Sequence, residues 1–285
     1  LDTHSPIKLN YLNMVNIVFF KAALGFYFLG MASFLYYLIS RKDRPPRSSF
    51  ALTGFGFLTH TAALVARTAE ASYIPITSLH EAMSFFSWAL VLAFLLIEYR
   101  YRIYILGSFV LPVTFISLIS SATLPMEIKM LDPQLQSAWL GVHTILAIMG
   151  AAAFSVAFLA GLMYLLQEWF LKSKRFNNLY FKLPALDMLD NLNYRAISFG
   201  FPLLTIGIIT GSIWAEYAWG TYWNWDPKQT WSLIIWLFYA AMLHGRITLG
   251  WRGRKAAYLA IIGFAGVIFT FVGVNILLQG RHAFL

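Results

Sequence analysis

Histidine is the only strong nitrogen ligand in this chain, and there are six copies; cysteine is absent. Thiolate metal sites, disulfides and thiol chemistry of the chain's own are therefore excluded. The histidines are His4, His60, His80, His143, His244 and His282. Between the fourth and the last of them lies the densest chemical feature, WAEYAWGTYWNWDPKQTWSLIIW at 214–236. It holds six tryptophans: Trp214, Trp219, Trp223, Trp225, Trp231 and Trp236. Gly220 and Pro227 interrupt its first half, and Asn224, Asp226 and Lys228 are costly in hydrocarbon, so this half is not a spanning helix. So much tryptophan has to bury against something. An interfacial aromatic belt accounts for one or two tryptophans at a helix end, not for six in one segment. A flat aromatic platform for a large planar ligand fits better.

The elements that must position these residues follow from composition. The 285 residues are 59% hydrophobic and 12% charged, with mean hydropathy +0.66. A soluble domain carries roughly twice that charged share. The pattern predicts an all-α, polytopic integral membrane protein in a lipid bilayer, a single membrane domain over 1–285. Eight spans are expected, at about 13–39, 50–66, 82–98, 103–121, 137–167, 196–214, 231–249 and 256–278. The opening residues suggest no cleavable signal peptide. The net charge of +9 does not point to nucleic acid, because the cations sit in short connections. Fifteen of the 21 Lys and Arg fall at 41–47, 98–103, 168–195 and 246–255. The positive-inside rule makes those segments cytoplasmic. Both termini and the 214–236 segment then face outward. The 168–195 connection suggests a short amphipathic helix on the cytoplasmic face.

With that orientation the histidines sort by depth. His143 lies near the outer end of the fifth helix, and His282 just past the eighth, on the same side as the tryptophan segment. Two imidazoles flanking an aromatic platform can supply both axial ligands to a haem iron. Lys228 and Arg281 are cations suited to its propionates. His244 lies about 20 Å below Trp231, past mid-membrane. Two readings stay open for it: a functional intramembrane group, or a hydrogen bond to a neighbouring helix. His60 also lies near mid-membrane, and for it a packed histidine bonded between helices is favoured. His80 and His4 fall in outer loops and carry no special signal. Glu70, Glu81 and Glu216 face outward, and Glu216 ranks highest because it lies inside the tryptophan segment. Asp226 before Pro227 reads as the N-cap of the seventh span.

At this point the residues resemble a known family. WGTYWNWDPKQTW (219–231) resembles the tryptophan-rich WWD signature of haem-handling proteins in cytochrome c biogenesis. Its DPKQTW ending is similar to the CcsA (ResC) family rather than to the related CcmC or CcmF proteins. LPALDMLDNLNYR (183–195), GFPLLTIGIITGSIWA (200–215) and LHGR (243–246) carry the same resemblance, which covers most of the chain from about residue 50. The resemblance implies the haem-binding subunit of a System II cytochrome c synthetase, a haem lyase that acts only as a complex with a membrane partner, CcsB (ResB). The pair would move haem b, its iron reduced, to the outer face. There it would be presented for thioether attachment to the CXXCH cysteines of apocytochrome c. By resemblance the membrane is a bacterial inner membrane or a thylakoid membrane. His143 and His282 match the outer iron ligands, and His244 the membrane-embedded ligand that holds haem in transit. The expected haem-binding set is His143, His282, His244, Trp219, Trp223, Trp225, Asp226, Trp231, Glu216 and Lys228, with no catalytic group beyond the iron ligands.

One departure concerns His80, where the family usually has a tyrosine nearby. Other functions remain open on the residues alone. One is a haem exporter or chaperone that delivers haem without attaching it. Another is a transporter of a different aromatic ligand, and a weaker one is a quinone-linked cytochrome b subunit.

Overall fold

The computed structural model describes residues 6–42, 44–71, 73–128 and 136–274, with the backbone alone for 6–13. Among them there is no strand. The helices are α1 (Pro6–Ile39), α2 (Arg47–Ala71), α3 (Leu79–Tyr101), α4 (Gly107–Ala122), α5 (Ala138–Lys172), α6 (Asn178–Lys182), α7 (Leu186–Trp219), α8 (Pro227–Thr248) and α9 (Arg254–Ile268). A 3-10 turn (Tyr104–Leu106) leads into α4, and a π-helical turn (Phe269–Gly273) continues α9. Each of the eight expected spans is helical over its described residues, because backbone in hydrocarbon has to bond internally. Seven helices are long and apolar enough to cross a membrane. The other long one, α8, is more polar because it carries Lys228, Gln229, His244 and Arg246. The chain is an integral membrane protein of all-α class. The connection at 168–195 differs from expectation. α5 runs on to Lys172 and α7 starts at Leu186, leaving only the five-residue α6 between them.

Helix ends follow local chemistry. Ser78 and Glu81 form a capping box at the start of α3, each side chain accepting from the other residue's backbone N–H. α7 stops at Gly220, whose φ of 72° is a left-handed conformation that glycine adopts without strain.

The chain divides into two compact units, Leu1–Lys129 and Met130–Leu285. In the first, α1 packs on α2 and α4, and α3 on α2 and α4. Tyr27, Phe34, Phe94, Leu106, Leu111 and Leu118 fill its core. His60 is fully buried and its Nε2 lies 3.0 Å from Ser84 Oγ, which bridges α2 to α3 as expected of a packed histidine. His80 is a correction. It lies in α3 rather than in a loop, buried, with Nδ1 2.9 Å from the Ser121 carbonyl oxygen of α4. The capping box starts the helix two residues before it. Glu81 beside it is buried too, and Arg67 Nε donates to it at 2.8 Å.

In the second unit α5 and α7 lie closest, and glycines allow it. A Cβ on Gly150 would come within 3.3 Å of the Gly200 carbonyl oxygen. α9 packs against α5 and α8, with Phe154 stacked on Tyr239 at 3.8 Å between ring centres. One polar clasp ties α7 to the far end of α8. Arg246 donates through both terminal nitrogens to the Asp190 carboxylate at 2.7 Å, and the Gly253 N–H donates to the same carboxylate at 2.7 Å. Paired forks of this kind are the strong form of a charged hydrogen bond.

Candidate functional site

The second unit contains a cavity, open on one side, between α5, α7, α8 and the end of α9. His143, Ala147, Ala151 and Phe154 of α5 line it, facing Leu204, Gly207, Ile208, Gly211 and Ser212 of α7. Trp223, Lys228, Gln229, Ser232 and Ile235 contribute from the α7–α8 connection and α8. Val267, Thr270 and Phe271 close the far wall, the last two from the π-helical turn. Such turns recur at functional sites because they re-aim side chains within a helix. The lining is mostly apolar, with a few polar groups among it, the usual make-up of a small-molecule site.

His143 is the one titratable ring on this wall. Its Nδ1 lies 2.7 Å from the Gly207 carbonyl oxygen. A carbonyl oxygen only accepts, so Nδ1 carries the proton and Nε2 is the nitrogen with the available lone pair. The ring also lies nearly parallel to Trp214, at 12° and 6.5 Å between centres. This is the arrangement that a metal-ligating histidine needs: one nitrogen anchored, the other basic.

The tryptophans do not form one flat platform. Trp214 is buried and meets Trp219 at 64°, and Trp223 meets Trp225 at 89°. Trp231 packs on Phe269 at 62°, while Trp236 stacks on Phe201 and donates to Thr205 Oγ1 at 2.9 Å. The reason is the break at Gly220: rings from α7, from the connection and from α8 issue from backbones running in different directions. Trp225 has φ 57° and is 69% exposed. Of the six, Trp223 is the ring that lines the cavity.

Much of the NWDPKQT motif holds the connection in place. Asp226 is the N-cap of α8, its Oδ1 accepting from the Lys228 N–H at 2.9 Å with Pro227 in the first turn. Asn224 Oδ1 accepts from the Asp226 N–H at 3.1 Å, and Gln229 Oε1 accepts from the Asn224 N–H at 3.1 Å. This knot sets Lys228 and Trp223 on the cavity wall. Glu216 lies in the last turn of α7, where its carbonyl accepts from the Gly220 N–H at 2.8 Å.

Of the expected set, His143, Trp223 and Lys228 are thus brought together. Trp219, Trp225, Trp231, Asp226 and Glu216 lie in the same segment without lining the cavity. His244 is exposed on α8, away from this wall. His282 and Arg281 lie outside the described residues, as does His4. Sequence reasoning missed Gly207, Gly211 and the turn at 269–273. The first two were visible as a glycine pair four apart in GFPLLTIGIITGSIWA, a spacing that puts both on one helix face.

Known proteins share this sequence over most of its length. The cytochrome c biogenesis protein CcsA of Guillardia theta is 41% identical, covering 80% of this chain and 82% of its own. Those of Gloeobacter violaceus and a Synechocystis species are 34% and 32% identical, covering 90% and 96% of this chain. They are matched over 92% and 99% of their own lengths. The family described as cytochrome C assembly protein matches residues 76–282, a stretch that takes in the whole cavity wall and the tryptophan connection. The chain belongs to the cytochrome C assembly protein family.

Proposed function

We propose that this chain serves cytochrome c biogenesis by binding haem as its substrate in the cavity of the second unit and presenting it for covalent attachment. The observation that carries this is His143, held by the Gly207 carbonyl on an apolar wall with Nε2 as its basic nitrogen. The residues suit a porphyrin. The wall is apolar where the ring would lie, one imidazole nitrogen is available to iron, and Lys228 is a cation for a propionate. His282 is the second outer ligand in this proposal, and His244, exposed on α8, is the ligand of haem in transit. Trp219, Trp225, Trp231, Asp226 and Glu216 complete the set by shaping the connection over the cavity.

In the attachment step a thiol S–H of the CXXCH segment adds across a haem vinyl group. Sulfur bonds to one carbon, the proton goes to the other, and no oxidant is consumed. The contribution of the chain is orientation, which can supply much of a barrier when two reactants are held in contact. The cargo is haem b with reduced iron, and the partners are a CcsB (ResB) protein and apocytochrome c. The cavity and both termini face outward from a bacterial inner or thylakoid membrane, with the Lys- and Arg-rich connections inside.

The test is to purify the chain with its partner and record oxidised and dithionite-reduced absorption spectra. His143→Ala, His244→Ala and His282→Ala are run beside it. The proposal expects a Soret band and low-spin reduced bands that each substitution weakens. A preparation that holds no haem and takes none up when it is added overturns it. Haem that stays on a CXXCH reporter after denaturation separates synthesis from delivery.

A further inference from the structure

The histidine reading leaves GFPLLTIGIITGSIWA without a task, yet α7 turns one face of that segment toward His143. The face carries Gly207, Gly211 and Trp214, spaced four and three apart, as neighbours on a helix surface must be. Each meets the imidazole differently. Gly207 supplies the carbonyl oxygen 2.7 Å from Nδ1. Trp214 lies parallel to the ring at 12°. Gly211 supplies empty space: a Cβ there would sit 2.6 Å from His143 Nδ1 and 2.8 Å from Cε1. That is closer than unbonded atoms tolerate, and the ring cannot yield without swinging off the Gly207 carbonyl. Gly207 does not have this second role, because its own Cβ would meet Ala147 rather than the imidazole, at ordinary contact distances of 3.4 to 3.8 Å. Thr210 stands between the two. Its hydroxyl donates to the Ile206 carbonyl at 2.8 Å and reaches the Gly207 carbonyl at 3.1 Å, where it competes with His143 for the same oxygen.

We propose that Gly207, Gly211 and Thr210 of α7 are positioning residues for the His143 ligand: the first fixes the tautomer, the second provides the clearance that lets the ring reach it, and the third moderates the acceptor. This rests on His143 binding haem iron. Partners of this kind orient a metal-bound histidine and raise its donor strength, and their loss typically weakens metal binding about 10–100-fold.

The test uses the full chain with its partner and reads haem per protein and the reduced low-spin bands. Gly211→Ala is expected to lower bound haem about tenfold or more. In a His143→Gly background supplied with free imidazole, Gly211→Ala is expected to change bound haem by less than about twofold, because a ring no longer tethered to α5 can shift away from the added methyl. A purely structural role for Gly211 would give the same loss in both backgrounds, and that result overturns the proposal. So does a Gly211→Ala protein with wild-type haem when His143→Gly has lost it; the ligand then stands and the positioning falls. If His143→Gly itself keeps the wild-type spectrum, the proposed function fails instead. Should Gly211→Ala not accumulate in the membrane, Thr210→Val decides. Removing the competing hydroxyl strengthens the His143–Gly207 bond and makes the imidazole a better donor, so the haem reduction potential falls. A potential that rises or stays put overturns the assignment.

Discussion

His60 and His143 have the same side chain, both sit on long apolar helices, and the two units use them in opposite ways. In the first unit His60 is fully buried, with Ser84 on one nitrogen and the rings of Phe20 and Tyr27 packed edge-on around it. His80 is enclosed in the same manner by Ser121 and Phe20. In the second unit one nitrogen of His143 is tied to backbone, and small residues along both facing helices leave space beside the ring. What separates the two environments is the neighbouring volume. Large aromatic side chains close it around His60, while Ala147, Ala151, Gly207 and Gly211 keep it open beside His143.

The sharpest way to break this comparison is the ion pair of the first unit. Arg67 and Glu81 are both buried, and removing one partner of such a pair leaves a charge without compensation. Arg67→Ala is expected to lower stability by about 3–5 kcal/mol, read as a shift in the unfolding transition in detergent. Haem per folded protein should stay unchanged. A selective loss of haem in the protein that remains folded would join the first unit to the site and undo the distinction. A similar destabilisation is expected in the second unit from Asp190→Ala, which strips Arg246 of its carboxylate.

His143→Ala is the complementary substitution. It should lower bound haem at least about tenfold while the unfolding transition moves little, since the ring borders a cavity rather than a packed core. Next in size is the cap of α8. Asp226→Ala should cost about 1 kcal/mol, and Asp226→Asn a fraction of that, because asparagine keeps a capping oxygen. Equal effects from both would mean that the charge of Asp226 matters rather than its cap. The smallest effect is expected at Ser84→Ala. Interhelical hydrogen bonds in membranes are worth about 0.6 kcal/mol, reaching about 1.7, and thermal unfolding of the variant should fall in that range.

The long helices were legible because seven of them are long apolar runs bounded by charge, Pro or Gly, which is a local property, and the more polar α8 is announced by its own cap. So was the role of Asp226, since an acid followed by proline states its own N-cap. The Ser78–Glu81 capping box was equally local, and reading it would have placed His80 inside α3. What stayed hidden depends on which helices meet. Nothing near Asp190 announces that Arg246, 56 positions on, will grip it. Nor does the run around Gly211 reveal that the neighbouring face belongs to His143. The flat platform failed for the same reason. Tryptophan count is a sequence property, but ring orientation depends on where α7 ends and how the connection turns.

If His143 is a haem ligand, as proposed, and His60 a packed core residue, removing each ring has a different consequence. The direct measurement is the reduced absorption spectrum and haem content of His143→Ala and His60→Ala, each prepared with the partner and normalised to folded protein. His143→Ala is expected to lose the low-spin bands and most of its haem, while His60→Ala keeps both at the wild-type ratio. Wild-type haem in His143→Ala, or equal losses in the two, would contradict the proposal.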